Sequence, residues 1–278
     1  QPNAMGGREV GGLANMLAAR MEIENPKHRQ LVQEFWNSPY IAEKSGLKAV
    51  DLFEAVEAGQ IKAIWIMATN PVVSLPNADQ VKRALEKCEF VVVSDICAET
   101  DTTQYADVLL PALAWGEKEG TVTNSERRIS RQNAFLDAPE QTQADWWAIA
   151  QVAKKMGFDG FEFSNSHDIF KEHAQLSAYQ NVEPQNRTDE TIFRYFNLKG
   201  LTDLSVTDYE NLAPIQWPVW SNDQKQNVVA RLYADGNFSH ADGKAKFIAT
   251  TVIDPVHQTS SEYPLILNTG RIRDQWHT

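Results

Sequence analysis

IKAIWIMATNP (61–71), FVVVSD (90–95) and VLLP (108–111) decide how this chain is read. They contain three short apolar runs, Ile61–Ala68, Phe90–Val93 and Val108–Leu110, each closing on small polar, acidic or proline residues. Runs of this length alternating with helical segments are the pattern of buried parallel strands in βαβ units. Between the first two, Ala78–Cys88 places Val81, Leu85 and Cys88 at i, i+4 and i+7 of one helix face. Thr100–Asp107 makes a short polar turn or helix before the third. The predicted fold is α/β: a doubly wound, mostly parallel sheet with helices on both faces. Ligands of such sheets bind beyond the carboxyl ends of the strands. Asn70, Ser94 and Asp95 therefore belong to one site, with Ser94-Asp95 suited to a ribose or a purine edge. The dense polar loop EKEGTVTNSERR (117–128) adds Lys118, a cation that can neutralise a phosphate.

Upstream, QPNAMGGREVGG (1–12) sets four glycines around Arg8 and Glu9 and is expected to be a loop that allows close backbone approach. An arginine there can clamp a small oxyanion with its planar fork; equally, Arg8 and Glu9 can form a surface pair. Asn25-Pro26 supplies the N-cap and first-turn proline of a helix to about Trp36, and Asp51–Ala58 forms another that stops at Gly59. Downstream, Ala144–Met156 is predicted helical, with Trp146, Ile149, Ala150 and Ala153 on one face. Asp145 lies in its first turn, where an acid ordinarily caps or complements the dipole.

From Gly157 the composition shifts. Asp168–Leu176 and Thr188–Leu198 are predicted as more polar helices, and Thr207–Glu210 as a capping box opening a short one. QWPVW (216–220) is an irregular aromatic segment packed on a neighbour. Arg231–Tyr233, Lys244–Ala249 and Leu265–Leu267 are predicted strands, with turns at Asp235-Gly236 and Asp242-Gly243. Four regions result: 1–28, a glycine-rich active-site loop and connector; 29–158, an α/β dinucleotide-type domain; 159–258, an α+β continuation with helices and a β-hairpin; and 259–278, the start of a further domain.

At 278 residues, 42% hydrophobic and 23% charged, the composition is globular. A net charge of −11 with no long basic stripe argues against broad nucleic-acid or anionic-membrane binding. No apolar run approaches the ~20 residues of a membrane span. The two cysteines, Cys88 and Cys97, form no CxxC or zinc pattern, and such sparse use fits a reducing, cytoplasmic compartment rather than a periplasmic one. The six histidines lack HExxH spacing, and no GxSxG elbow, GxGxxG fingerprint or P-loop occurs. The residues alone describe a nucleotide-binding α/β unit without its own catalytic group. The chain opens on Gln1 with no signal-peptide pattern and closes on TGRIRDQWHT (269–278), which looks like the middle of a functional loop, so a larger parent protein is expected.

Four stretches resemble one family: QPNAMGGREVGG (1–12), IWIMATNPVVSLPN (64–77), FVVVSDICAETDTTQYADVLLPALAWGEKEGTVTNSERR (90–128) and LNTGRIRDQWHT (267–278). They are similar to the molybdopterin-dinucleotide oxidoreductases, above all to the assimilatory bacterial nitrate reductases. The resemblance implies that Asn70, Ser94, Asp95, Lys118 and Asp145 contact one arm of a Mo-bis-molybdopterin guanine dinucleotide. It implies that Thr269, Gly270, Arg271, Ile272, Arg273, Asp274, Gln275, Trp276, His277 and Thr278 line the pterin and pyrophosphate on the other side. Leu265–Leu267 would then be the first strand of a C-terminal β-barrel module. Arg8 is the implied catalytic residue, orienting nitrate. The implied partners are nitrate, an electron-donor protein or reductase subunit, and the remainder of the same polypeptide. Departures are equally clear. The family's cysteine cluster for a [4Fe–4S] centre and its molybdenum-ligating cysteine match neither Cys88 nor Cys97, so the fragment is expected to be inactive alone. A formate dehydrogenase or other oxyanion reductase of the same cofactor class is the alternative within the family, and a non-catalytic nucleotide-binding module the alternative outside it.

Overall fold

A computed structural model describes residues 3–139, 141–183, 186–188, 191–221, 231–234, 236–238, 242–255 and 257–267. The chain divides into a large unit, Pro2–Asn227, and a second unit of Gln1 with Val228–Thr278.

The large unit opens on a helix, α1 (Ala4–Glu9), where the glycines predict a loop. Close packing is what the glycines serve. A Cβ on Gly6 would lie 2.0 Å from Asn3 Oδ1, and one on Gly12 would lie 2.9 Å from the Gly7 carbonyl oxygen. A two-residue antiparallel pair, β1 (Met16–Leu17) and β2 (Met21–Glu22), follows. Asn25 then caps α2 (Pro26–Trp36), its Oδ1 accepting from the Lys27 and His28 amides at 3.0 and 3.4 Å. Leu31 and Val32 are the buried residues of α2.

The three apolar runs form one parallel sheet. Its elements are α3 (Ala49–Glu57), β3 (Ala63–Met67), α4 (Pro71–Ser74), α5 (Ala78–Lys87), β4 (Phe90–Asp95), a 3-10 turn at Thr103–Tyr105 and β5 (Val108–Pro111). The strand order is β3-β4-β5, with Ile66 opposite Val93 and Val93 opposite Leu109. Side-chain alternation sends Ile66, Val91 and Val93 to one face, where they bury against Phe53 and Val56 of α3 and Val81, Ala84 and Leu85 of α5. Each of the buried valine, leucine, isoleucine and phenylalanine side chains contributes ~1.5–3 kcal/mol. The opposite face carries Trp65, Met67 and Val92, all half-buried. The expected doubly wound sheet with helices on both faces is therefore narrowed. Among the described residues the strands add in sequence without reversal, and the helices of the buried cluster lie on one face.

The predicted polar loop after β5 is largely a hairpin, β6 (Gly120–Thr123) and β7 (Arg128–Gln132), which β8 (Ile215–Gln216) extends by antiparallel pairing with β7. Asn124 makes the turn: its Oδ1 accepts from the Glu126 and Arg128 amides at 3.1 and 3.0 Å, while Arg127 takes a left-handed φ of 71°. Helix α6 (Asp145–Lys155) matches expectation and buries Ala150 and Ala153, but Ile149 is exposed. Helix α7 (Ser166–Ala178) is longer than predicted, and α8 (Val206–Glu210) is capped by Ser205 rather than Thr207.

The helix predicted over Thr188–Leu198 does not form in its described residues. Residues 191–198 run without helix, and Arg194, Phe196, Asn197 and Leu198 are buried. The Asn181 side chain serves their backbone, accepting from the Arg194 amide at 3.0 Å and donating to the Arg194 and Phe196 carbonyls.

In the second unit, Gly236 and Gly243 adopt positive φ, and the Phe238 amide donates to the Gly243 carbonyl at 2.8 Å, as the predicted turns require. The strands predicted beside them do not form: Arg231–Tyr233 is bend and turn, and the chain from Ala245 to Ala249 has no ladder partner among the described residues. Leu265–Leu267, the expected first strand of a barrel module, is likewise unpaired and exposed. Without a neighbour to take their N–H and C=O groups, such apolar segments have no sheet to join.

Candidate functional site

Parallel pairing brings the tails of β3, β4 and β5 to one edge. Backbone hydrogen bonds continue past the strands: Ala68 N donates to Ser94 O at 3.0 Å, and Ala112 N to Asp95 O at 3.0 Å. The segment entering α6 joins the same edge, because Gln143 N donates to Pro111 O and Leu113 N to Gln143 O, each at 3.1 Å. Asp145, the first residue of α6, is thereby carried to the tail of β5.

Asp145 meets the predicted cation there. Lys118 Nζ lies 3.5 Å from Asp145 Oδ2, both side chains about one-third exposed. The other oxygen, Oδ1, is buried and has no hydrogen-bond partner among the described residues. A buried carboxylate oxygen without a donor carries an unmet desolvation cost. At the tail of β3, Asn70 precedes α4 and its Oδ1 accepts from Thr102 Oγ1 at 2.6 Å. Thr102 also takes the Val72 amide at 3.3 Å. Asp95 Oδ1 accepts from the Cys97 amide at 3.0 Å, the turn that starts the loop beyond β4. Past that turn an open depression of about 510 Å³ is lined by Ala98, Glu99, Thr100, Asp101, Thr103 and Gln104.

Ser94 departs from expectation. Its place at the strand tail is correct, but it is 2% exposed and its Oγ accepts the Trp65 indole N–H at 2.8 Å. The alternation of β4 turns its hydroxyl against the sheet face, so its side chain serves Trp65. Lys118 and Asp145 are brought together, while Asn70 bonds to Thr102 and not to that pair. Thr269 to Thr278 lie outside the described residues.

Arg8 and Glu9 do not pair. Arg8 is exposed and has no ion-pair partner among the described residues, whereas Glu9 is 3% exposed. The Glu9 carboxylate accepts from Thr123 Oγ1 at 2.9 Å and from the Trp217 indole N–H. Burial raises its pKa above the usual carboxylate value, against these hydrogen bonds and the nearby Arg20 charge, which lower it. Trp217 is flanked by the Arg20 and Arg127 guanidiniums, 5.7 and 5.4 Å from its ring. Beneath α1 a small cavity of about 120 Å³ is lined by Gly6, Gly7, Glu9, Thr123, Phe170 and His173 among others. Sequence reasoning missed Thr102, Thr123 and Trp217 as partners of the predicted site. The threonine-rich TDTT (100–103) was the one local signal; Glu9 to Trp217 spans too much sequence to leave any.

A family profile described as "Molybdopterin oxidoreductase" matches residues 4–155. A "Nitrate reductase" of Shewanella frigidimarina is 53% identical over 100% of this chain and 29% of its own length. A "Nitrate reductase" of Klebsiella oxytoca is 48% identical, over 100% of this chain and 30% of its own. An "F420-dependent formate dehydrogenase 1 subunit alpha" of Methanococcus maripaludis is 32% identical over 100% and 37%. The chain thus spans about a third of the length of the curated relatives it matches. Among solved structures, an acetylene hydratase of Pelobacter acetylenicus aligns with a TM-score of 0.42 and 14% identity over 78% of this chain and 25% of its own, too distant to carry an argument.

Proposed function

The chain belongs to the molybdopterin oxidoreductase family, and from that premise we propose that it is a segment of a molybdenum-dependent nitrate reductase catalytic subunit. Identities of 53% and 48% to nitrate reductases, against 32% to a formate dehydrogenase, support nitrate as the substrate over formate. The observation that carries the reading is the strand-tail edge, where Asp145 Oδ1, beside Lys118, has no hydrogen-bond partner among the described residues. This donor and acceptor set fits the guanine dinucleotide end of a Mo-bis-molybdopterin cofactor. Asp145 Oδ1 would take N–H groups of the purine edge, and Lys118 Nζ would neutralise phosphate. Asn70, Ser94 and Asp95 shape the floor along the ends of β3 and β4. When bound, the cofactor supplies the oxygen-atom transfer that converts nitrate to nitrite.

Arg8 contributes a cation on a short helix pinned by its neighbour, and it orients the nitrate anion through its planar fork. A [4Fe–4S] cluster on a preceding segment, fed by an electron-donor protein or reductase subunit, completes the enzyme in the cytoplasm. No described helix is long and apolar enough to cross a membrane. In the intact enzyme, Arg8→Ala is expected to raise the nitrate KM or lower turnover at least tenfold while molybdenum content stays at the wild-type level. Unchanged kinetics would remove Arg8 from nitrate binding.

A further inference from the structure

Helix α1 has six residues, too few to hold a helical conformation unaided. Two side chains tie it down at its ends. Asn3 Oδ1 accepts the Thr123 amide at 3.0 Å at the start, and the Glu9 carboxylate spans Thr123 Oγ1 and the Trp217 indole N–H at the finish. The Glu9 carbonyl also accepts the Ala19 amide at 2.7 Å, closing the glycine turn behind the helix. Arg20, next in the chain, reaches back to Met5 Sδ at 3.3 Å. Thr123 ends β6 and Trp217 follows β8, so Glu9 joins the helix to the ends of the two strands that flank β7. Adjacent helical residues point about 100° apart. Holding Glu9 inward therefore sets the direction in which Arg8 projects.

We propose that Glu9 is a positioning residue for nitrate binding, acting through Arg8 by fixing the rotation of α1 against Thr123 and Trp217. The inference rests on the reading of Arg8 given above. A carboxylate is unusual in so buried a place, and its two acceptor bonds explain why it is kept there: one side chain meets a donor at the end of β6 and another just past β8. Removing it frees the last turn of α1, which bears Arg8, and leaves the Trp217 N–H and the Thr123 hydroxyl without their acceptor.

The test uses the intact, cofactor-loaded enzyme, with nitrate KM, kcat and molybdenum content measured for each variant. Glu9→Ala is expected to raise the nitrate KM about tenfold with less than a twofold change in kcat and full molybdenum content. Glu9→Gln keeps an acceptor for Trp217 and gains a donor for Thr123, and is expected to restore KM to within about twofold of wild type. Trp217→Phe, which removes only the indole N–H from that bond, should give an intermediate KM if Glu9→Ala proves unstable. In the double variant Arg8→Ala/Glu9→Ala, KM should equal that of Arg8→Ala alone, because both changes remove one interaction. Hydrogen exchange over Ala4–Ala19 should rise in Glu9→Ala and not in Glu9→Gln. A wild-type KM in Glu9→Ala and Trp217→Phe, or a fully additive double variant, would overturn the proposal. Arg8→Ala separates the two claims. If Arg8→Ala raises KM and Glu9→Ala does not, only the positioning role fails; if Arg8→Ala leaves both KM and kcat unchanged, the reading of Arg8 fails and the positioning role with it.

Discussion

Glu9 and His173 line the same small cavity, and burial moves their protonation in opposite directions. His173 is pushed down from 6.5 to about 4 by desolvation, so its neutral form is the one that packs against Phe196. Its contribution to stability is fully present above pH 6.5 and is lost as pH falls from there to about 4. The loss is on the order of a few kcal/mol. Glu9 has the reverse sign: its folded pKa is raised, so its contribution is present below the unfolded value near 4.5 and is lost as pH rises through the folded pKa. The prediction concerns α7. Once intrinsic rates are removed, amide exchange over Ser166–Ala178 should increase between pH 6.5 and 4, and His173→Phe should abolish most of that increase. An equal increase in His173→Phe would place the pH sensitivity elsewhere. None of this was legible from the sequence, in which Glu9 sits beside Arg8 and six histidines lie scattered. Which of two adjacent charges turns inward is decided by Thr123 and Trp217, more than a hundred residues away.

At the scale of elements, local chemistry predicted well where one segment contains its own reasons. Asn25-Pro26 starts α2, Gly59 follows α3 at a φ of +73°, and the three apolar runs are strands within two residues of their expected ends. It failed where the reasons come from elsewhere. TVT and RIS alternate as strands do, yet the polar residues around them read as loop until β8 arrives to pair with Arg128 and Ile129. Thr188–Leu198 has helix-compatible apolar spacing, but the Asn181 side chain binds its backbone in a non-helical path. That path yields a prediction. Asn181→Ala removes one accepted bond and three donated ones, to Ser177, Arg194 and Phe196 carbonyls. It should destabilise the surroundings of residues 191–198 by roughly 2–4 kcal/mol, read as faster hydrogen exchange there with the β3-β4-β5 sheet unaffected. Exchange at the wild-type rate would mean that packing of Phe196 and Leu198 alone holds the segment.

For the whole molecule, the convergence of the strand tails on one edge of the parallel sheet was legible from the sequence, since parallel strands must end on one side. What the strand tails do individually was less legible. Ser94 lies where predicted but bonds to Trp65, and Asp145, whose ordinary role would be to cap a helix, presents a buried oxygen without a donor among the described residues. The chain spans 29% and 30% of its two nitrate reductase relatives. The central claim is that this stretch cradles a molybdenum–guanine dinucleotide cofactor in a longer enzyme. The most direct measurement is the molybdenum and guanine nucleotide content of the purified full-length protein, with Asp145→Ala alongside. The account predicts molybdenum with two guanine nucleotides per metal in the wild type, and a loss of at least half of both in Asp145→Ala while the protein remains folded. A full-length product holding neither molybdenum nor guanine nucleotide, or an Asp145→Ala variant that retains the full complement, would contradict it.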